Sequence, residues 1–161
     1  MAKKSTVPAD LGENAAADIC EALIQSMAET SVAQQKAQIF HWNVKGMAFG
    51  TLHEMFQKIY EDHFDAMDVL AERVRALGGH AEGRYSEFLK RSAIKESDGK
   101  LIDKKMIAEL RDDQRRLSQT LRELVDVADE HEDVVTADMA TNRAEAHDKF
   151  AWMLSAHLSD E

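Results

Sequence analysis

The sequence predicts an all-α protein of a single domain, built mainly from four long helices. The chain has 161 residues, enough for one domain with a sizeable core. It contains one proline and seven glycines, so long stretches hold no residue that interrupts a helix. Within these stretches the apolar residues recur at helical spacing, which argues against a strand-rich fold.

The first predicted helix covers residues 11–40. Asp10 is a candidate N-cap because Glu13 follows three residues later, the spacing of a capping box. We therefore expect residues 1–10 to form a flexible arm and residues 11–161 to form the helical domain. The apolar pattern of this helix consists of Ile19, Leu23, Met27, Val32 and Ile39.

The second predicted helix opens with a capping box, Thr51 with Glu54, and stops at Gly78-Gly79. On a helical wheel its apolar residues fall within a sector of about 120°. We expect this stripe to face the core, and we interpret His63 within it as a buried core histidine. The stripe consists of Leu52, Met55, Phe56, Ile59, His63, Met67, Leu70, Val74 and Leu77.

Two further helices are predicted in the last third of the chain. No glycine or proline follows Gly99. The acidic run at residues 129–133, which precedes β-branched residues, nevertheless predicts a break. We place the helices at residues 103–128 and 133–157.

The connection between the second and third helices is long, about 25 residues, whereas the other two connections are short. One long crossover is the connectivity of ferritin-like four-helix bundles, and an up-and-down bundle does not need it. The segment YSEFLKR within the crossover, residues 85–91, predicts a short extra helix with Phe88 and Leu89 packed against the bundle.

Composition limits the class of partner and compartment. The formal net charge of −10 argues against a surface that attracts nucleic-acid phosphates. The single cysteine, Cys20, cannot form an internal disulfide. No long apolar run follows the first residues, so we expect no signal peptide and no membrane span. These features predict a cytoplasmic protein.

A second face of the second helix carries His53, Phe64, Asp68 and Glu72 within about 100° of the wheel. Such a face is usually a solvated flank, but a histidine with two carboxylates also suits Fe(II) or Mn(II). His53 and Asp68 are 15 residues apart, about 22 Å along a helix, so one chain cannot bring them to one ion. Two antiparallel copies about a two-fold axis would do so twice.

The turn before this helix supplies a second histidine. In HWNVKGMAFGTLH, residues 41–53, the first histidine ends helix one, the last begins helix two, and the glycines let the chain reverse between them. His41 and His53 of one subunit would then face Asp68 and Glu72 of its partner.

The motifs HWNVKGMAFGTLHEMF and DVLAERVRALGG resemble the ferroxidase signature of the Dps family, the mini-ferritins called DNA-binding proteins from starved cells. The four ligand types stand at the family's spacing: His41, then His53 after 12 residues, Asp68 after 15 and Glu72 after 4. The resemblance implies a hollow dodecamer with iron sites across two-fold interfaces. It also implies that hydrogen peroxide or dioxygen oxidises Fe(II) to a stored ferric mineral.

Further residues take expected roles from the same resemblance. Many family members carry an aspartate where this chain has Gln57, so we expect the second iron position to be the weaker one. Trp42 is expected close to the iron site, in electron transfer or radical protection, with aromatic packing as the alternative. Asp138 and Asp133 resemble in position the family's acidic three-fold pore, with a solvated helix cap as the alternative.

The sequence therefore predicts a ferroxidase and iron-storage protein that protects against oxidative damage. A DNA-compacting structural protein of the same fold is the leading alternative, and a helical oligomer without chemistry is the third. A ferritin-type site inside one bundle is excluded, because the sequence contains no Glu-x-x-His. The remaining histidines lack a convincing ligand set: His80, His131, His147 and His157.

DNA binding is expected to be weak or absent. The N-terminal arm offers Lys3 and Lys4 before it meets Asp10 and Glu13, and the chain ends in Ser-Asp-Glu. Two lysines neutralise few phosphates, and a negatively charged shell repels the duplex. Multivalent display of many arms is the one effect that opposes this expectation.

Overall fold

A computed structural model describes Pro8 and residues 11–158, and these residues form five α-helices and no strand. The four long helices pack as a bundle in which α1 lies against α2 and α4, and α4 lies against α5. The short helix α3 lies in the crossover and packs on α1. The all-α fold class is therefore confirmed. The helices are α1 (Glu13–Asn43), α2 (Phe49–Ala76), α3 (Tyr85–Arg91), α4 (Asp103–Glu130) and α5 (Val134–Ala156).

The core consists mainly of two apolar clusters, one toward each end of the bundle. The first contains Leu23, Leu70 and Leu124, and the second contains Phe40 and Phe56. The predicted stripe on the second helix is confirmed, since eight of its nine members are buried and only Met67 is partly exposed. Because these clusters bury one face of α2, they determine which face of the helix points outward.

The start of α2 differs from the prediction. The helix begins at Phe49, and its N-cap Ala48 provides no side-chain hydrogen bond. Thr51 and Glu54 lie inside the helix, so the predicted capping box is wrong. The reason is that Gly46, at φ +110°, reverses the chain early and its carbonyl accepts a hydrogen bond from the Phe49 N–H at 3.1 Å.

The crossover is held down by a buried carboxylate. Glu29 of α1 is fully buried, accepts hydrogen bonds from Arg116 at 3.0 Å and from the Ala93 N–H at 3.3 Å, and so ties the crossover to α1 and α4. Phe88 of α3 is buried as predicted, but Leu89 is 46% exposed. The next residue on a helix points about 100° away, so only one of the two can face α1.

The remaining helix boundaries are the N-termini of α1 and α5. The N-cap of α1 is Gly12; the predicted cap Asp10, and the predicted arm apart from Pro8, lie outside the described residues, as do residues 159–161. The N-cap of α5 is Asp133, whose side chain accepts from the Thr136 N–H. No helix in the described part of the chain is long and apolar enough to cross a membrane.

Candidate metal centre

Two histidines lie side by side where α1 ends and α2 begins. The rings of His41 and His53 stack with their centroids 3.7 Å apart and their planes 20° from parallel. His41 is buried and His53 is partly buried. The prediction that the turn brings these two imidazoles together is confirmed.

Reciprocal hydrogen bonds fix the orientation of both rings. The Nδ1 atom of His41 donates to the His53 carbonyl oxygen at 2.8 Å, and the Nδ1 atom of His53 donates to the His41 carbonyl oxygen at 2.8 Å. A carbonyl oxygen can only accept, so each neutral ring carries its proton on Nδ1 and keeps a lone pair on Nε2. Such second hydrogen bonds orient metal-binding histidines and raise their basicity.

Aromatic side chains surround the histidine pair. Tyr60 meets the His41 ring edge-on at 5.3 Å, and Phe49 stacks on His53 at 5.0 Å. The sequence interpretation did not identify these two contacts, although Tyr60 stands at i+7 from His53, on the same side of α2. Trp42 is 61% exposed, so within one subunit it is not part of the core.

The two predicted carboxylate ligands lie far from the histidines. Asp68 and Glu72 are exposed on α2, and they lie about 22 Å and about 28 Å along the helix from His53. Among the described residues of one chain, no three His, Cys, Asp or Glu side chains lie close enough to hold a metal ion. A complete site of the predicted composition therefore requires a second subunit.

A groove with a volume of about 850 Å³ follows α2 past Asp68, between α1 and the crossover. Apolar side chains line it and remain open to solvent: Phe64 is 66% exposed, Tyr85 79% and Leu89 46%. Monomeric proteins rarely leave large aromatic surfaces uncovered. This side of the subunit has the character of an interface.

Comparison with known proteins identifies the family. The ferritin-like domain model matches residues 20–161. The DNA protection during starvation protein of Brevibacillus brevis is 37% identical over 136 residues, which cover 84% of this chain and 91% of that protein. The crystal structure of Dps from Staphylococcus aureus matches with a TM-score of 0.85 and 34% identity, covering 88% of this chain and 95% of that chain.

The chain belongs to the Dps family. A Dps structure from Vibrio cholerae O1, described as a member of a broad superfamily of ferritin-like diiron-carboxylate proteins, matches with a TM-score of 0.90 at 26% identity. It covers 98% of this chain and 99% of that chain. The resemblance and the ferritin-like fold class are both confirmed.

Gln57 is the residue for which the family resemblance implies an aspartate in many other Dps proteins. Its side-chain Nε2 donates to Glu61 Oε1 at 2.7 Å, which leaves the amide oxygen as the atom that remains available. Gln57 lies one turn after His53 on α2, so the two side chains share a face. A neutral amide oxygen is a weaker ligand for iron than a carboxylate.

The two pore candidates of this Dps chain have different surroundings. Asp133 is buried, and both of its oxygens accept hydrogen bonds from Arg73 at 2.9 Å. Burial acts to raise the pKa of Asp133, but the bonds from Thr136 and Arg73 outweigh it and lower the pKa. Asp133 thus serves the subunit as a helix cap, whereas Asp138 is exposed and accepts a hydrogen bond from Asn142 at 3.2 Å.

Four of the other histidines of this Dps chain have partners within the subunit: His63, His131, His147 and His157. His63 and His147 are buried, which confirms that His63 is a core histidine. His131 contacts Asp18 at 3.1 Å, and His157 donates to the Met153 carbonyl oxygen at 2.9 Å. No set of potential metal ligands forms around any of them in the described residues.

Proposed function

We propose that this protein is a ferroxidase and iron-storage mini-ferritin. The observation that carries the proposal is the stacked pair His41 and His53, with both Nδ1 atoms engaged and both Nε2 lone pairs available. Asp68 and Glu72 at the far end of the same exposed helical face supply the anionic half of the site. Membership of the Dps family supports this assignment of the four ligands.

The complete site forms between two subunits. When two copies of α2 run antiparallel about a two-fold axis, the histidines of one subunit meet the carboxylates of the other, and this occurs twice. The groove beside Asp68 and the exposed rings of Phe64 and Trp42 support this face as the contact. From the family resemblance, we infer that the dimers assemble into a hollow dodecamer.

The ligand set suits the oxidation of Fe(II). Two neutral imidazoles and two carboxylates balance the charge of one ferrous ion, and this mixed donor set fits Fe(II). Hydrogen peroxide takes one electron from each of two ferrous ions, consumes two protons, and leaves two water molecules. Dioxygen is the alternative oxidant. With Gln57 in place of a carboxylate, we infer that the second ferrous ion is held more weakly than the first.

The function is tested by adding Fe(II) anaerobically to the assembled protein and then titrating hydrogen peroxide. We expect peroxide consumption in proportion to iron, and a ferric product that stays soluble and elutes with the protein. Zn²⁺ added first should compete for the same ligands and slow the reaction. Iron that precipitates at the protein-free rate would contradict the ferroxidase proposal.

DNA compaction is the alternative function, and the name of the Brevibacillus brevis relative favours it. We expect it to be weak, because Lys3 and Lys4 are the only cationic side chains before Asp10 and the net charge is −10 per chain. Gel retardation of plasmid DNA in roughly 150 mM salt tests this. A stable shifted complex that is lost in the Lys3→Ala, Lys4→Ala variant would show that several arms of one shell bind DNA together, and that this avidity exceeds the repulsion by the negative shell.

We propose Asp138 as the carboxylate that guides Fe(II) through a three-fold pore of the shell. It is exposed near the start of α5, unlike Asp133. Asp138→Asn should slow iron uptake several-fold at low salt and should weaken its dependence on ionic strength, because the ring loses its charge. Asp126→Asn, at an exposed position of α4, is the control. Equal uptake curves for both variants would refute the pore role.

A further inference from the structure

A closed ring of hydrogen bonds lies in the middle of the bundle, between its two apolar clusters. Asp62 and His63 contribute to it from α2, Gln114 from α4, and Arg143 and His147 from α5. The His63, Gln114 and His147 side chains are buried, whereas the other two reach the surface in part. The proposed iron chemistry uses none of these residues.

Arg143 fixes the direction of every bond in the ring, because a guanidinium can only donate. Its Nη2 donates to His147 Nε2 at 3.3 Å, so His147 carries its proton on Nδ1 and donates to Gln114 Oε1 at 2.7 Å. Gln114 Nε2 then donates to His63 Nε2 at 3.1 Å, and His63 Nδ1 donates to Asp62 at 3.3 Å. Arg143 closes the ring with bonds to both Asp62 oxygens, at 3.1 and 2.6 Å.

The ring has no acceptor for another proton on its histidines. A second proton on His63 would point at the donating amide of Gln114, and one on His147 would point at Arg143. Rotating the Gln114 amide relieves the first contact but turns its NH₂ group toward the Nδ1–H of His147. With either histidine doubly protonated, two buried donors face each other in both orientations of the amide. The folded protein then loses the desolvation free energy of an unpaired polar group.

We propose that this ring is an acid-sensitive lock, which holds α2, α4 and α5 together while both histidines are neutral and opens when either takes a second proton. Burial is the main cause that lowers the pKa of His63 and of His147. Unfolded histidines have a pKa of about 6.5. Below that pH the unfolded chain binds two protons that the folded chain excludes, so stability falls as the pH falls.

The charged groups around the ring do not cancel this effect. Burial acts to raise the pKa of Asp62, but the bonds from His63 and Arg143 outweigh it and lower the pKa, so Asp62 stays ionised. Asp148 of α5 is engaged by Ser118 and Arg122 of α4.

Two buried charged side chains of α1 are paired with α4. Glu29 binds Arg116, and Lys36 lies 2.8 Å from Asp113. Burial raises the pKa of Asp113 to about 6. A carboxyl group whose pKa is raised by folding makes the folded protein more stable as the pH falls below that value. This effect is opposite in sign to that of the two histidines. The test therefore compares proteins that all retain Asp113.

The lock is tested by the pH at which the full-length assembled protein loses its helical circular dichroism, at fixed protein concentration. Gln114→Glu keeps the shape of the side chain but offers acceptors to both histidines, so the ring can hold the extra proton. Its acid midpoint should lie at least about one pH unit below that of the wild type. Gln119→Glu, the same change at an exposed position of α4, should behave as the wild type. Equal midpoints for both variants would overturn the proposal.

A second measurement needs only the wild-type protein and conservative variants. Solid-state NMR of the assembled protein with ¹⁵N-labelled histidine, at about pH 5.5, should include the signals of two neutral rings protonated on Nδ1 that belong to His63 and His147. One of these signals should vanish in His63→Gln and the other in His147→Gln. Imidazolium signals from both residues in protein that is still folded would overturn the proposal even if Gln114→Glu does not fold.

Discussion

His53→Ala subunits are expected to assemble normally and to lose rapid Fe(II) oxidation. The substitution removes a ligand from the metal centre, and the loss of even an outer-shell partner typically costs 10–100-fold, so we expect a decrease of at least about 100-fold. The fold should survive, because His53 is only partly buried and its hydrogen bond to the His41 carbonyl contributes about 1 kcal/mol. Stopped-flow oxidation of Fe(II) by peroxide measures the rate, and circular dichroism measures the helices.

Asp68→Ala should produce the same loss from the other end of the helix. Asp68 is exposed and takes part in no ion pair among the residues that the structure describes, so we expect its removal to leave the isolated fold unchanged. His80→Ala and Asp126→Ala change the same residue types at exposed positions away from the site and serve as controls. Wild-type oxidation rates in either ligand variant would refute the assignment of the four residues.

The stacked histidines show how far the sequence alone could reach. Turn chemistry predicted that His41 and His53 would meet, since one ends α1 and the other begins α2. Their reciprocal hydrogen bonds could not be predicted, because both acceptors are backbone carbonyls whose direction depends on the path of the chain through Gly46. The spacing of Asp68 from His53 predicts that a site containing both residues needs a second subunit, and the shared site stays a prediction.

Where the sequence misled, a local pattern competed with backbone geometry or with tertiary packing. Thr51 and Glu54 have the spacing of a capping box, but the helix starts earlier, where the Gly46 carbonyl accepts the first hydrogen bond. Leu89 is apolar, yet α3 is a single short helix that turns only Phe88 toward α1. A charged side chain in the core cannot be inferred from hydropathy, because Glu29 is buried only with its partners in place.

The ring of hydrogen bonds could not be predicted from the sequence either, because its members come from three helices. The wheel correctly placed His63 in the core, but nothing in the sequence linked it to His147, which is 84 residues later. Gln114 joins them by lying opposite both on α4. Hydrogen bonds between side chains of different helices can be identified only when the packing of those helices is known.

Co-expressed His53→Ala and Asp68→Ala subunits are expected to regain activity that neither variant has alone. In a mixed dimer, one site combines the intact histidines of one subunit with the intact carboxylates of the other, and the second site lacks both. Random pairing of equal amounts makes half of the dimers mixed, so roughly a quarter of all sites become complete. The rate per subunit should recover to about a quarter of the wild-type rate.

A second mixture makes this result decisive. When wild-type subunits are co-expressed with the double variant His53→Ala, Asp68→Ala, a shared site again leaves about a quarter of the sites complete, because only pairs of wild-type subunits are intact. A site within one subunit would instead leave half complete in this mixture and none in the first. The ratio of the two rates therefore separates a shared site from a site inside one chain: equal rates support the shared site, and activity confined to the mixture with wild type would refute it.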